Sequence, residues 1–163
     1  MVSRVAQLHV QILSVAFAAG AVGGLVNFLI APLFGALHIT LALGVNIAPG
    51  LSKADLYQKL VWGGVFGLLF LIPLRKYIKQ WWLRAIIFGC VPSLVQMFIV
   101  FPVSTPFGLG GVGLGALTPV FVLIFNTIGW GIPAYAWFRL AGYEDAENVR
   151  SHRMGGDSEA LLD

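Results

Sequence analysis

Acidic side chains are scarce in this chain and unevenly placed: of seven, six lie between Glu144 and Asp163, and the other is Asp55. None falls within a long apolar run, which removes the carboxylate that proton relays and ion-coupled pumps place inside a membrane. The single cysteine, Cys90, excludes an intramolecular disulfide and a cysteine metal cluster. It reads as a small residue in the core of a helix. His9, His38 and His152 fall at three different levels of the chain, so they do not jointly hold a haem or a zinc ion. No serine stands in a nucleophile-elbow sequence and no charged pair stands at helical spacing inside an apolar run. Enzyme chemistry therefore has no visible residues, and no cofactor or metal is expected.

Charge of either sign is low, 10% of residues against about 25% in soluble domains, while 58% are hydrophobic and the mean hydropathy is +0.87. That composition belongs to a membrane protein. A net charge of +3 would also suit nucleic acid, but the basic residues flank apolar runs and form no stripe on a polar domain, so no nucleic-acid partner is expected.

The apolar runs divide into four spans, at about 12–31, 56–74, 83–101 and 117–140, each near the length needed to cross the hydrocarbon core. Pro32 is expected to end the first. A secretory signal is the rival reading of that first run, with Ala16-Phe17-Ala18 or Ala19-Gly20-Ala21 as the cleavage site. The run continues ten residues beyond them, longer than the apolar region of a signal, so retention is expected. Gly20 and Gly24 in span one, and Gly63 and Gly67 in span two, are small-residue faces that allow another helix backbone to approach. Packing within the chain is the simpler use of such a face than dimerisation. Ser52 with Asp55 has the pattern of an N-cap opening span two. Pro92 should kink span three and free a carbonyl one turn earlier, with Ser93 and Gln96 beside it to satisfy that carbonyl or to line a polar seam.

Between spans one and two, 33–50 is too short and too broken by glycine and proline to be a span. It is expected as an interfacial helix, or as a re-entrant segment over a cavity. His38 within it reads as an interfacial polar residue. The 102–115 connection carries Gly108-Leu-Gly110-Gly-Val-Gly113, the glycine spacing of dinucleotide sites, but no strand precedes it and no βαβ unit surrounds it. It is expected as an outer loop or re-entrant turn. Residues 1–142 thus form the transmembrane domain, and 143–163 a polar, disordered tail.

Orientation follows from the stretch between spans two and three, which holds Arg75, Lys76, Lys79 and Arg84 with no acid, next to Trp81 and Trp82. Short loops rich in Lys and Arg stay cytoplasmic, with Trp at the headgroup level. With four spans both termini are then cytoplasmic, and eight of the ten basic residues are inside; only Lys53 and Lys59 are outside. The fold expected is an all-α integral membrane protein of the bacterial inner membrane. Phe28-Leu-Ile-Ala-Pro32 and Phe98-Ile-Val-Phe-Pro102 close spans one and three in the same way, as two parallel helical-hairpin repeats would. The shared motif is short enough to arise by chance.

Asn27, Ser93, Gln96, Asn126 and Thr127 remain as neutral polar side chains in the outer half or the middle of their spans. They either cross-brace helices or converge as a polar seam; cross-bracing is the expectation. Counted from the span ends, Gln96 and Asn126 lie about five and nine residues deep, roughly 7 and 14 Å at 1.5 Å per residue, and so are not expected to be level. The function expected is a non-enzymatic accessory or assembly subunit, surrounded by membrane lipids and packed against itself or a larger membrane-protein partner. The alternative is transport or permeation of a small neutral solute or lipid by a homodimer. A cavity with converging amides separates the two, because an accessory subunit needs neither.

Overall fold

The computed structural model describes residues 4–142, and among them the chain is helical, with no strand. The tail expected from 143 lies outside the described residues. Helix α1 spans Arg4–Ala36, the one-turn α2 spans Ile39–Ala42, and α3 spans Lys53–Gly67 and continues as a 3-10 helix, Leu68–Leu71. After the 72–80 connection, α4 (Trp81–Val95), a π segment (Gln96–Val100) and α5 (Phe101–Ser104) make one rod. A second rod combines α6 (Thr118–Ile124), a π segment (Phe125–Gly131) and α7 (Ile132–Leu140). Three helices, Ala6–Ala36, Trp81–Ser104 and Thr118–Leu140, are long and apolar enough to cross a membrane.

Prolines shape these rods without ending them. Pro32 lies inside α1, which runs on to Ala36, and Pro102 lies inside the 81–104 rod, so both expected helix ends are too early. A proline ring clashes with the carbonyl four residues before it, and a local change of helical pitch relieves the clash. The two π segments stand where that argument puts them, just ahead of Pro102 and Pro133. At Pro92 the expected repair differs in detail: the Ser93 hydroxyl donates to the Gly89 carbonyl at 2.9 Å, its own partner four residues back, rather than to the Phe88 carbonyl that Pro92 leaves without a donor.

Helix α1 is the axis of the bundle, packing against α3 on one side and the 118–140 rod on another, while α4 packs on the far side of that rod. The α1–α3 seam is glycine on glycine. A Cβ placed on Gly63 would stand 2.7 Å from the Gly20 carbonyl oxygen, and one on Gly67 would stand 2.8 Å from the Gly20 Cα. The two small-residue faces are therefore used on each other within the chain. Gly89 does the same for α4, where a Cβ would meet the Asn126 carbonyl oxygen at 2.6 Å.

Call the end with the 72–80 connection the hinge end, and the end with the 37–52 and 105–117 connections the loop end. The main core lies toward the hinge end, where Phe70, Phe88, Trp130, Tyr135 and Phe138 pack as an aromatic cluster with centroids 5.2–5.8 Å apart around Phe70 and Phe88. Trp130 ties it to α1 through Nε1, which donates to the Gly20 carbonyl at 2.9 Å. Two parallel hairpins would pack α1 against the 118–140 rod and α3 against α4 alike. Here α1 packs closely on that rod, whereas α3 reaches α4 through large side chains at the hinge end.

The basic stretch is not a uniform loop. Trp81, Trp82 and Arg84 belong to the first turn of α4. Lys76 and Lys79 are exposed, Arg75 and Trp81 are half-buried, Trp82 is exposed, and Arg84 is 3% exposed with its guanidinium 5.3 Å from the centre of the Tyr135 ring. Trp81 carries the Arg139 guanidinium over its ring at 5.4 Å. Arg84 was expected among the loop cations; helical spacing turns it inward instead.

At the loop end the connections are ordered against each other. The Asn46 N–H donates to the Leu114 carbonyl at 2.7 Å, and the Thr40 hydroxyl donates to the Ile47 carbonyl at 2.9 Å. The expected interfacial helix shrinks to the single turn of α2, entered through an exposed His38 in the left-handed region (φ 58°) and followed by non-helical chain. The 105–117 connection holds short 3-10 turns between Leu109 and Leu114, broken by a kink at Gly110 and Gly111, whose φ values near 70° are left-handed, and Gly111 lies under the Phe101 ring.

Candidate functional site

Because α3 and the 81–104 rod close on each other only toward the hinge end, a cavity of about 380 Å³ is left between them at the loop end. Asn27, Phe125, Asn126 and Val122 form its buried floor. One wall is α3, with Asp55, Gln58 and Lys59; the other carries Gln96, Phe101 and Phe107. The 46–50 chain and Leu114 line the loop-end side. The rim residues Asn46, Ala48, Pro49, Gly50, Asp55 and Gln58 are exposed, so the cavity has a polar mouth and a buried base.

Three amides are chained across the base. Asn27 Nδ2 donates to the Phe125 carbonyl at 2.7 Å and to Asn126 Oδ1 at 3.3 Å, and Asn126 Nδ2 donates to Gln96 Oε1 at 3.0 Å. The Phe125 carbonyl can only accept, so the atom facing it must be the amide nitrogen, which sets the direction of the whole chain. Among the described residues Asn27 Oδ1 finds no hydrogen-bond partner, a costly arrangement for a group at that depth. At the other end, the half-buried Gln96 lines the cavity and keeps its own amide nitrogen.

Gln96 and Asn126 are thus level, contrary to the depths counted from sequence. The 81–104 rod runs past Pro102 to Ser104, and the second rod starts at Thr118, so each amide stands eight residues from the loop end of its rod. The other two members of the expected seam do not join. Ser93 donates to Gly89, and Thr127 to the Leu123 carbonyl at 2.7 Å, each within its own helix. Asn27, Gln96 and Asn126 meet; Ser93 and Thr127 do not line the cavity.

Local sequence places these groups. Gly24 and Asn27 are three apart on α1 and share a face. Gly24 lets the Lys59 carbonyl of α3 settle against α1, which holds the Lys59 wall beside the Asn27 floor. Gly89 plays the corresponding part on α4, two turns from Gln96. At the start of α3, the Ser52 hydroxyl accepts from the Asp55 N–H at 3.0 Å and donates to the Asp55 carboxylate at 2.6 Å, the N-cap expected there. This cap fixes the carboxylate at the rim one turn before Lys59.

Asp55, Gln58 and Lys59 were not among the ligand-site candidates from sequence, where Asp55 entered only as part of the N-cap and the other two as part of the second span. The available signal is that positions 55, 58 and 59 share one helical face, and that Lys59 precedes an uninterrupted apolar run. Among the described residues no group of three or more His, Cys, Asp or Glu side chains could hold a metal ion. The arrangement can hydrogen-bond a polar group from several sides and shield it with aromatic walls. Compared with protein-family models, curated proteins and solved structures, the chain finds no match.

Proposed function

We propose that the protein is a small-molecule-binding membrane protein that takes a small polar solute or the polar head of a lipid into the loop-end cavity, as a step in its transport or permeation. The observation that carries this reading is the amide chain Asn27–Asn126–Gln96 at the base of a 380 Å³ cavity. Binding sites of about 300–1,000 Å³ with a few convergent polar groups among apolar walls are the usual form of a ligand pocket. An accessory subunit, the leading expectation from sequence, uses small-residue faces to meet its partner. Those of α1 and α3 are already used on each other, as expected of packing within the chain, so those two faces offer a partner nothing.

The membrane setting belongs to the same proposal. We take α3 with its 3-10 extension as a fourth span: fifteen residues at 1.5 Å and four at about 2.0 Å give about 30 Å, the thickness of the hydrocarbon core. Arg75, Lys76, Lys79 and Arg139 share the hinge end with the start of α1, so the positive-inside rule makes that end, and both termini, cytoplasmic. On that asymmetry the cavity opens outward, and we keep the bacterial inner membrane, the setting expected from sequence, as part of the proposal. Exposed leucines, valines and phenylalanines along the rods face lipid or a second copy of the chain.

Gln96→Leu and Asn126→Leu test the proposal. An interhelical hydrogen bond in a membrane is worth about 0.6 kcal/mol, and leucine is favourable there, so both variants should fold and keep their thermal stability within about 1 kcal/mol. A site that orients a ligand by these amides loses it when they go. Mass spectrometry of the protein from mild detergent should find a co-purifying small molecule or lipid on the parent chain and not on the folded variants. Retention on both variants would refute the role of the amides.

A further inference from the structure

Lys59 and Asp55 are a cation and an anion one helical turn apart on the same wall of the cavity, and among the described residues they are the charged side chains that line it. Their Cβ atoms are separated by about 5–6 Å, as for any pair four apart on a helix. Asp55 stands at the exposed rim, tied by Ser52, and Lys59 is set deeper, at the level where Gly24 brings α3 against α1. From the loop end inward the anion therefore comes first and the cation one turn below it, with Asn27, three residues nearer the loop end than Gly24, between them in level. We propose that the occupant is zwitterionic, with an anionic phosphate held at Lys59 and an ammonium group at Asp55: the head of an ethanolamine phospholipid, or the same head free of its chains. This rests on the reading of the cavity as a ligand site and adds the class of ligand.

Three features fit that class. A phosphate bridged to an ammonium by two carbons carries one charge of each sign in a single head group, with the polarity opposite to that of the wall. The volume is next: at about 30 Å³ for a water-sized group, 380 Å³ holds roughly a dozen, which is a head group and not a diacyl lipid. Lastly, the gap between α3 and the 81–104 rod closes only toward the hinge end, which leaves the chains of a lipid room to lie in the bilayer along Phe28 and Phe101. A simple anion would leave Asp55 facing like charge at the rim, and a simple cation would do the same to Lys59.

The test is native mass spectrometry of the full chain in mild detergent with dioleoyl phosphatidylethanolamine, dioleoyl phosphatidylglycerol or soluble glycerophosphoethanolamine, comparing Lys59→Met, Lys59→Arg and Asp55→Asn with the parent. Charge-assisted hydrogen bonds set the scale: losing one costs about tenfold to a hundredfold in affinity. The parent should prefer the ethanolamine lipid to the glycerol lipid by about tenfold or more. Lys59→Met should weaken both, and Lys59→Arg should keep binding. Asp55→Asn should remove the preference while sparing phosphatidylglycerol. Competition by glycerophosphoethanolamine at the affinity of the lipid supports the head group alone as the occupant; weaker competition supports the lipid. Equal binding of the two lipids to the parent, or the same affinities in folded Lys59→Met, overturns the proposal. If neither lipid binds, but a different molecule co-purifies with the parent and is lost from Gln96→Leu, the zwitterion fails and the ligand site stands. If nothing co-purifies and nothing binds, both fail.

Discussion

The seam between α1 and α3 positions one whole wall of the cavity, and Gly20→Ala, Gly63→Ala and their combination measure how closely it is packed. A Cβ on Gly63 would lie 2.7 Å from the Gly20 carbonyl oxygen, against 3.4 Å for ordinary contact, so the helices must part by about 0.7 Å locally. Overpacking of that kind costs about 1–3 kcal/mol. Alanine in place of glycine inside a helix returns about 0.5–1 kcal/mol of propensity, leaving a net loss of about 0–2.5 kcal/mol, the larger for Gly20→Ala, whose Cβ meets the Gly63 carbonyl oxygen more closely still. Because both methyl groups push apart the same contact, the second should cost much less than the first. The double variant should then fall short of additivity by about 0.5–1 kcal/mol. Gly50→Ala is the control, since a Cβ there meets nothing within 4 Å. Reversible unfolding in mixed micelles, followed by tryptophan fluorescence, gives all four values. If Gly20→Ala and Gly63→Ala are as harmless as Gly50→Ala, the two glycine faces do not meet, and the reasoning that places Lys59 beside Asn27 fails with them.

Two further outcomes follow from the hinge end and from the orientation. Arg84 is buried with its guanidinium over the Tyr135 ring, a cation–π contact worth about 0.5–2 kcal/mol, so Tyr135→Leu should destabilise the protein by about 1 kcal/mol or more beyond Tyr135→Phe, which keeps the ring, measured in the same micelles. Equal losses, or the reverse order, would mean that the ring does not shelter the charge. In a Cys90→Ala background, a cysteine replacing the exposed Val112 should react with an impermeant thiol reagent in intact cells, and one replacing Lys79 should not; reaction at Lys79 would invert the proposed orientation. Val112 suits the purpose better than Gly110, whose φ of 68° and burial resist any side chain.

Much of this architecture is written along the chain. Hydropathy and length are local sums, so the apolar helices, the cap at Ser52 and the small-residue faces could all be read in order from residue 1. Helix ends were less legible at Pro32 and Pro102, because a proline breaks an isolated helix but is absorbed when neighbouring helices hold the rod, with a π turn taking up the clash ahead of Pro102. The error at Pro102 then displaced the counted depth of Gln96, and with it the view that Gln96 and Asn126 stand at different levels. Among five neutral polar side chains, sequence could not say which would turn inward to one another. Ser93 and Thr127 are short enough to satisfy themselves on their own helix, whereas Asn27, Asn126 and Gln96 reach across to a neighbour. Composition and periodicity by themselves determined that this is a bundle of apolar helices with one basic end. The tertiary structure alone decided that α3 and the 81–104 rod stay apart at the loop end, because glycines draw each of them onto a different neighbour, and that Asp55 and Lys59 share the resulting gap with the amides.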